Sequence, residues 1–131
     1  MVVDTSAILA ILSDEPERSH FNELIAMAPS PIMSSGTYLE TTIVTEARYG
    51  KEGVRDLKLF FAEASIAILP FDGDQAAIAA DGFSRYGKGR HPAGLNFGDC
   101  FAYALAKKYD EPLLFKGDDF SRTDVSSATH P

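Results

Sequence analysis

Residues 1–12 read MVVDTSAILAIL: two valines, an acid, two small hydroxyl residues and an apolar run. Val2 and Val3 predict a very short strand that ends on Asp4. Thr5 and Ser6 can cap the next element, a short apolar helix that begins over residues 7–12. Outward from this stretch the same alternation continues. Residues 14–17 (DEPE) open a second helix, with proline near its first position and acids in its first turn. His20, Phe21, Leu24, Ile25 and Ala28 carry it on at helical spacing until Pro29 and Pro31 break it. Residues 31–34 predict a second strand. A helix comes next, from Ser35 or Gly36 to Arg48, closed by Tyr49 and Gly50. Residues 51–64 predict a further helix with Val54, Leu57, Phe60, Phe61 and Ala64 on its apolar side.

Residues 65–70 suit a buried strand, and Asp72 or Asp74 caps an alanine-rich helix through Tyr86. The Gly- and Pro-rich stretch 87–94 is a loop, residues 97–109 are a strongly periodic helix, and residues 112–115 are a fourth strand. The turn 116–119 comes next, and the tail 126–131, poor in apolar residues, is expected to fray. Short apolar strands separated by helices predict an α/β fold. The expected form is a single domain over residues 1–131, a three-layer sandwich with a central, mainly parallel sheet flanked by helices. Ligands of such sheets bind at the carboxyl ends of the strands.

The chain has 131 residues, 45% of them hydrophobic, enough to bury a core without staples. No apolar run approaches the roughly 18 residues that cross a membrane, and residues 1–4 lack the basic and apolar regions of a secretion signal. The single cysteine, Cys100, excludes an internal disulfide framework and a cysteine-based zinc site. A cytoplasmic location is the expectation. The net charge is −7, but all of it arises in residues 1–80. Between Asp81 and Asp99 there is no acid, while Arg85, Lys88, Arg90 and His91 lie there. Phosphate binding depends on local cation placement more than on total charge, so this basic arm keeps nucleic acid open as a ligand.

Acids stand at four places where a parallel sheet would gather them. Asp4 ends the first strand, Glu40 lies about one turn into the third helix, Asp99 is in the first turn of the 97–109 helix, and Asp118 and Asp119 follow the fourth strand. Converging carboxylates repel one another, and a hard divalent cation relieves that repulsion. Mg²⁺ and Mn²⁺ favour such oxygen ligands, and an ion so held activates water and stabilises charge on a phosphodiester. Each acid also has a purely structural reading: Asp4 and Asp99 as helix-capping charges, Glu40 as solvated surface, Asp118 and Asp119 as turn residues.

Four segments together carry a resemblance: MVVDTSAILAIL at 1–12, SSGTYLETTIV at 34–44, YGKGRHPAGLNFGDCFAYALAK at 86–107 and LLFKGDDFSRTD at 113–124. With them the chain resembles the PIN-domain family, in particular the VapC toxins of bacterial toxin–antitoxin pairs, over residues 1 to about 125. The resemblance implies a metal-dependent endoribonuclease using Mg²⁺ or Mn²⁺. It implies that Asp4 and Asp99 are direct metal ligands and that Glu40 belongs to the metal shell or positions water. Thr5 and Ser6 would orient Asp4. It further implies an RNA substrate, a cognate VapB-type antitoxin and a homodimer. One departure stands out: many members carry an acid where this chain has Gly117, so Asp118 or Asp119 would supply the fourth carboxylate.

Arg85, Lys88, Arg90 and His91 either position RNA phosphates or belong to a solvated loop. Tyr86 and Cys100 read as core, His91 as a turn residue, and His20 and His130 as surface. The apolar faces around Leu57, Phe60 and Phe61 suit either core or a dimer seam. Two other functions compete. A phosphatase of the haloacid-dehalogenase type also places an Asp after its first strand, but needs a second Asp where Ser6 stands. A non-catalytic interaction module on the same fold takes its support from Gly117.

Overall fold

The computed structural model describes residues 1–130. Its elements run β1 (Val2–Val3), α1 (Thr5–Leu12), α2 (Arg18–Met27), β2 (Ile32–Ser34), α3 (Ser35–Ala64), β3 (Ala67–Leu69), α4 (Gly73–Tyr86), α5 (Phe97–Tyr109) and β4 (Leu113–Leu114). A 3₁₀ turn, Phe120–Arg122, follows β4. The four strands pair in parallel in the order β3-β2-β1-β4.

Successive strand residues point to opposite faces, and each face meets helices. Val3, Met33 and Leu114 join Ala7, Ile8 and Ile11 of α1, Phe21 and Ile25 of α2, and Leu57 and Phe61 of α3 in one core. Val2 and Leu113 join Ala102, Tyr103, Leu105 and Ala106 of α5 in a second core on the other face, with Ile32, Ile78 and Tyr86 against it. Burial on both faces is why β1 and β4 can be so short and wholly apolar. The three-layer α/β expectation matches this arrangement. It also resolves the Leu57–Phe61 face: Leu57 and Phe61 are buried core and Phe60 packs against them.

Residues 35–64 carry two helices that meet at a kink: the backbone leaves helical geometry at Gly50 (φ 69°, ψ −165°), where the sequence reading ends the first of them. Two details differ from the sequence reading. The 65–70 strand is not buried: β3 is an edge strand with Ala67 and Ile68 exposed, and Ile66 beside it is the residue that enters the core. The tail is tied down rather than frayed over residues 126–128. The Leu113 amide donates to Ser126 O, and the Ala128 amide donates to Leu113 O. Those bonds are made by the backbone, which composition does not register; Pro131 lies outside the described residues. Among the described residues, no helix is long and apolar enough to cross a membrane.

From β1 the chain moves outward through β2 to β3, then returns past β1 to place β4 on its other side. The order therefore reverses between β1 and β4. In open α/β sheets that crevice, beyond the carboxyl ends of the strands, is where ligands bind. Asp4 follows β1 there, and residues 115–119 follow β4.

Candidate active site

Asp4 is 3% exposed. Its two oxygens have different fates. Oδ2 caps α1, accepting from the Ser6 amide at 3.0 Å and the Ser6 hydroxyl at 2.7 Å. Oδ1 is buried with no hydrogen-bond partner. The capping reading of Asp4 is thus correct for one oxygen and leaves the other unexplained, and a buried acceptor without a partner costs free energy. Burial pushes the Asp4 carboxyl up, the two Ser6 bonds work the other way, and the negative charge of Glu40 adds to the rise.

Asp99 shows the same division. α5 opens with a capping box in which Asn96 Oδ1 accepts from the Asp99 amide at 2.9 Å and Asp99 Oδ2 accepts from the Asn96 amide at 3.0 Å. Only Oδ2 is used. The Asp99 carboxyl is pushed up to about 7, first by burial. The Asn96 amide opposes this, and the charges of Asp4, Asp119 and Glu40 reinforce it. Asp99 thus feels the charge of the acid that follows β1, of one on α3 and of one in the loop after β4.

Glu40 projects from α3 and is half-buried. Its Oε1 accepts the Thr5 hydroxyl at 2.7 Å, and its carboxylate lies against Gly98 in the first turn of α5. The sequence reading has both Thr5 and Ser6 orienting Asp4; in the structure their hydroxyls part company. Ser6 binds Asp4, whereas the Thr5 hydroxyl turns to Glu40 and to Thr41, 2.9 Å away. Ser6 makes one more bond: its hydroxyl oxygen accepts the Lys116 amide at 2.9 Å, which fastens the loop after β4 to the end of β1.

Asp118 and Asp119 separate in that loop. The charge of Asp119 reaches Asp99, while Asp118 lines a different hollow with Glu17, His20 and Lys116. Gly117 has φ +104°, a conformation that a residue with a side chain rarely adopts. The loop shape accounts for a glycine there and brings Asp119 to the cluster instead.

The basic arm is partly committed elsewhere. Arg85 lies 3.6 Å from Asp81 and 3.7 Å from Asp124 and stacks on the Tyr86 ring. Arg90 sits over the Phe83 ring. Lys88 lines an apolar cavity of about 670 Å³ with Asn96, Phe97 and Cys100, beside the start of α5. His91 Nδ1 accepts the Ala93 amide, as its turn reading expects. Cys100 is buried, its thiol pushed up chiefly by burial.

Among the described residues, no three His, Cys, Asp or Glu stand close enough together to ligate one ion directly. The donor set nonetheless fits a hard cation of the kind that keeps several waters and takes one or two carboxylates. It is all oxygen, two of its carboxyls are raised by burial and mutual repulsion, and Asp4 Oδ1 lacks the partner an ion would supply.

The family model for the PIN domain matches residues 1–126. The chain belongs to the PIN-domain family. It is 53% identical over 127 residues to the protein named Ribonuclease VapC of Mycolicibacterium smegmatis, covering 97% of this chain and 98% of that one. It is 47% identical to Ribonuclease VapC30 of Mycobacterium tuberculosis over the full length of both. Among solved structures, VapC20 of M. tuberculosis, described as a sarcin–ricin loop cleaving toxin, superposes with a TM-score of 0.76 at 18% identity, over 95% of each chain. VapBC2 from Rickettsia felis, bound to a DNA fragment from its promoter, superposes with a TM-score of 0.73 at 16% identity, covering 96% of this chain and 94% of that one. These two likenesses show the PIN fold.

Membership in this family leaves the dehalogenase-type reading without support, and Ser6, where that chemistry needs an acid, is spent on Asp4 and Lys116. Sequence reasoning missed Asn96, Gly98 and the Lys116 amide. The spacing Asn96-x-x-Asp99 is a capping-box pattern and was a usable signal. The Lys116 bond has none, since a backbone amide looks alike at every position.

Proposed function

We propose that this PIN-domain protein is an endoribonuclease dependent on Mg²⁺ or Mn²⁺ and the toxin of a toxin–antitoxin pair. The observation that supports it most is an Asp99 carboxyl raised by burial and by the charges of Asp4, Asp119 and Glu40, beside an Asp4 whose Oδ1 is buried and unpartnered. The VapC ribonuclease names of its full-length relatives point the same way.

In this reading Asp4 and Asp99 hold the ion, through the oxygens their capping bonds do not use. When bound, the ion lowers the pKa of a water and offsets charge on the phosphodiester. Glu40, anchored by Thr5, orients the attacking water and takes up its proton. Asp119 completes the negative cluster, which leaves the non-catalytic module without the argument it drew from Gly117. Lys88, lining the cavity beside the start of α5, and Arg90 guide the RNA backbone in, with Arg85 held back by its acids.

The protein acts as a homodimer and is neutralised by a VapB-type antitoxin. Leu39, Ile43 and Phe97 are 60%, 59% and 78% exposed and border one apolar hollow beside Glu40 and Gly98. A contiguous exposed apolar face of this kind marks an interaction site.

The test is RNA cleavage by purified wild type and by Asp4→Asn, Asp99→Asn and the double variant, each with and without Mg²⁺ or Mn²⁺. Cleavage only by the wild type and only with metal is expected. Equal cleavage by wild type and double variant identifies a contaminating nuclease and removes the reading. Co-expression with the cognate antitoxin is expected to relieve growth arrest.

A further inference from the structure

Gly98 is the second residue of α5, between the Asn96 cap and Asp99. A Cβ built on it would stand 2.6 Å from Glu40 Cδ and 2.9 Å from Oε1, and closer still to Oε2. The Glu40 carboxylate thus fills the volume that any side chain at position 98 would take. Its other side is fixed by Thr5, whose hydroxyl donates to Oε1 at 2.7 Å. The carboxylate is clamped between the first residue of α1 and the first turn of α5, two elements that carry or directly follow Asp4 and Asp99. The amino-terminal end of a helix also favours negative charge close by.

We propose that Gly98 is a positioning residue: by having no side chain, it admits the Glu40 carboxylate to the acid cluster. The proposal rests on the ribonuclease reading for what Glu40 does there, and on the geometry alone for where Glu40 stands. Alanine is the better helix former, so the helix by itself gains nothing from glycine at this position. Adding a methyl group drives the end of the flexible Glu40 side chain out of the cleft and away from Thr5. The α5 backbone has no need to move.

The experiment compares Gly98→Ala, Glu40→Asp and the double variant by RNA cleavage, by titration calorimetry with Mn²⁺ alone, and by thermal unfolding. Gly98→Ala is expected to lower kcat roughly 10- to 100-fold, the usual cost of removing an outer-shell partner. Mn²⁺ binding weakens with it, while Tm stays level or rises. Glu40→Asp alone also lowers kcat. In the Gly98→Ala background, however, the shorter carboxylate clears the added methyl, and Glu40→Asp restores part of the lost cleavage.

Wild-type cleavage and Mn²⁺ affinity in Gly98→Ala overturn the proposal, as does a double variant whose loss is the product of the two single losses. If Gly98→Ala fails to fold, Glu40→Asp must restore folding in that background, and failure to do so overturns the proposal too. A wild-type protein that neither cleaves RNA nor binds Mn²⁺ removes the ribonuclease reading instead. An active wild type matched by Gly98→Ala removes only the assignment of Gly98.

Discussion

Thr5 donates its hydroxyl hydrogen to Glu40 Oε1 across 2.7 Å, joining the residue that follows Asp4 to an acid 35 positions away on α3. The bond makes the placement of the second acid depend on the first turn of α1. Thr5→Val keeps the size and shape of the side chain and removes only the hydroxyl. Thr41 still donates to Thr37 O at 2.8 Å, so the neighbouring buried hydroxyl keeps a partner. Cleavage is expected to fall roughly 10- to 100-fold with the fold retained, read from kcat beside a thermal unfolding curve. Activity within about twofold of wild type would show that Glu40 does not need this anchor.

Asp4 invites the opposite expectation for stability. It is a buried carboxylate with one oxygen unpartnered and Glu40's charge acting on it. Asp4→Asn retains an acceptor for the Ser6 amide and hydroxyl and removes the buried charge. The metal-free variant should unfold at a higher temperature than metal-free wild type, increasingly so as pH rises and the raised Asp4 carboxyl ionises, while losing cleavage. This is the trade-off expected where a strained site serves function. A lower Tm for Asp4→Asn in metal-free buffer would mean that the carboxylate is a structural group.

The fold and the two firmest acids were legible because both are local. An apolar pair ending on Asp4 and a periodic helix starting at Phe97 are patterns within a dozen residues, and α5 spans Phe97–Tyr109 as its period implies. The features that stayed hidden depend on contacts between distant residues. Nothing in the order Asp-Thr-Ser says that Ser6 turns to Asp4 while Thr5 turns to Glu40. Neither does the Gly-Asp-Asp turn say which aspartate faces inward, because a positive φ at Gly117 decides that. Gly98 did leave a trace. Glycine inside a helix costs about 1 kcal/mol relative to alanine, so its presence beside a candidate ligand signals that space is needed there.

Asp118 and Asp119 should separate cleanly in solution. Of the two, Asp119 is the one whose charge raises the Asp99 carboxyl, so Asp119→Asn should lower the Asp99 pKa in the metal-free protein and reduce cleavage. Asp118→Asn should do neither, since its side chain lines the hollow with His20 and Lys116. Carbon-detected NMR titration of the aspartate side chains reads the first effect and RNA cleavage the second. An Asp99 titration shifted by Asp118→Asn and untouched by Asp119→Asn would reverse the assignment of the fourth acid.

The raised Asp99 carboxyl also sets a pH dependence whose sign can be worked out. In the folded, metal-free chain Asp99 keeps its proton up to about pH 7, against 3.8 for an ordinary aspartate. Between those values the folded state binds more protons than the unfolded state, so stability declines as pH rises through that window. Asp4, raised in the same direction, adds to the decline. Metal ligation requires both carboxyls to be deprotonated, so cation affinity moves the other way and strengthens as pH rises. The Tm of metal-free protein should therefore fall between about pH 4 and about pH 7, with Asp99→Asn flattening the fall. Added Mn²⁺ should raise Tm by more at the alkaline end of that range than at the acid end. A metal-free Tm that climbs through this range, or a Mn²⁺ effect larger in acid, would mean that the Asp99 carboxyl is not held protonated by burial and its acidic neighbours.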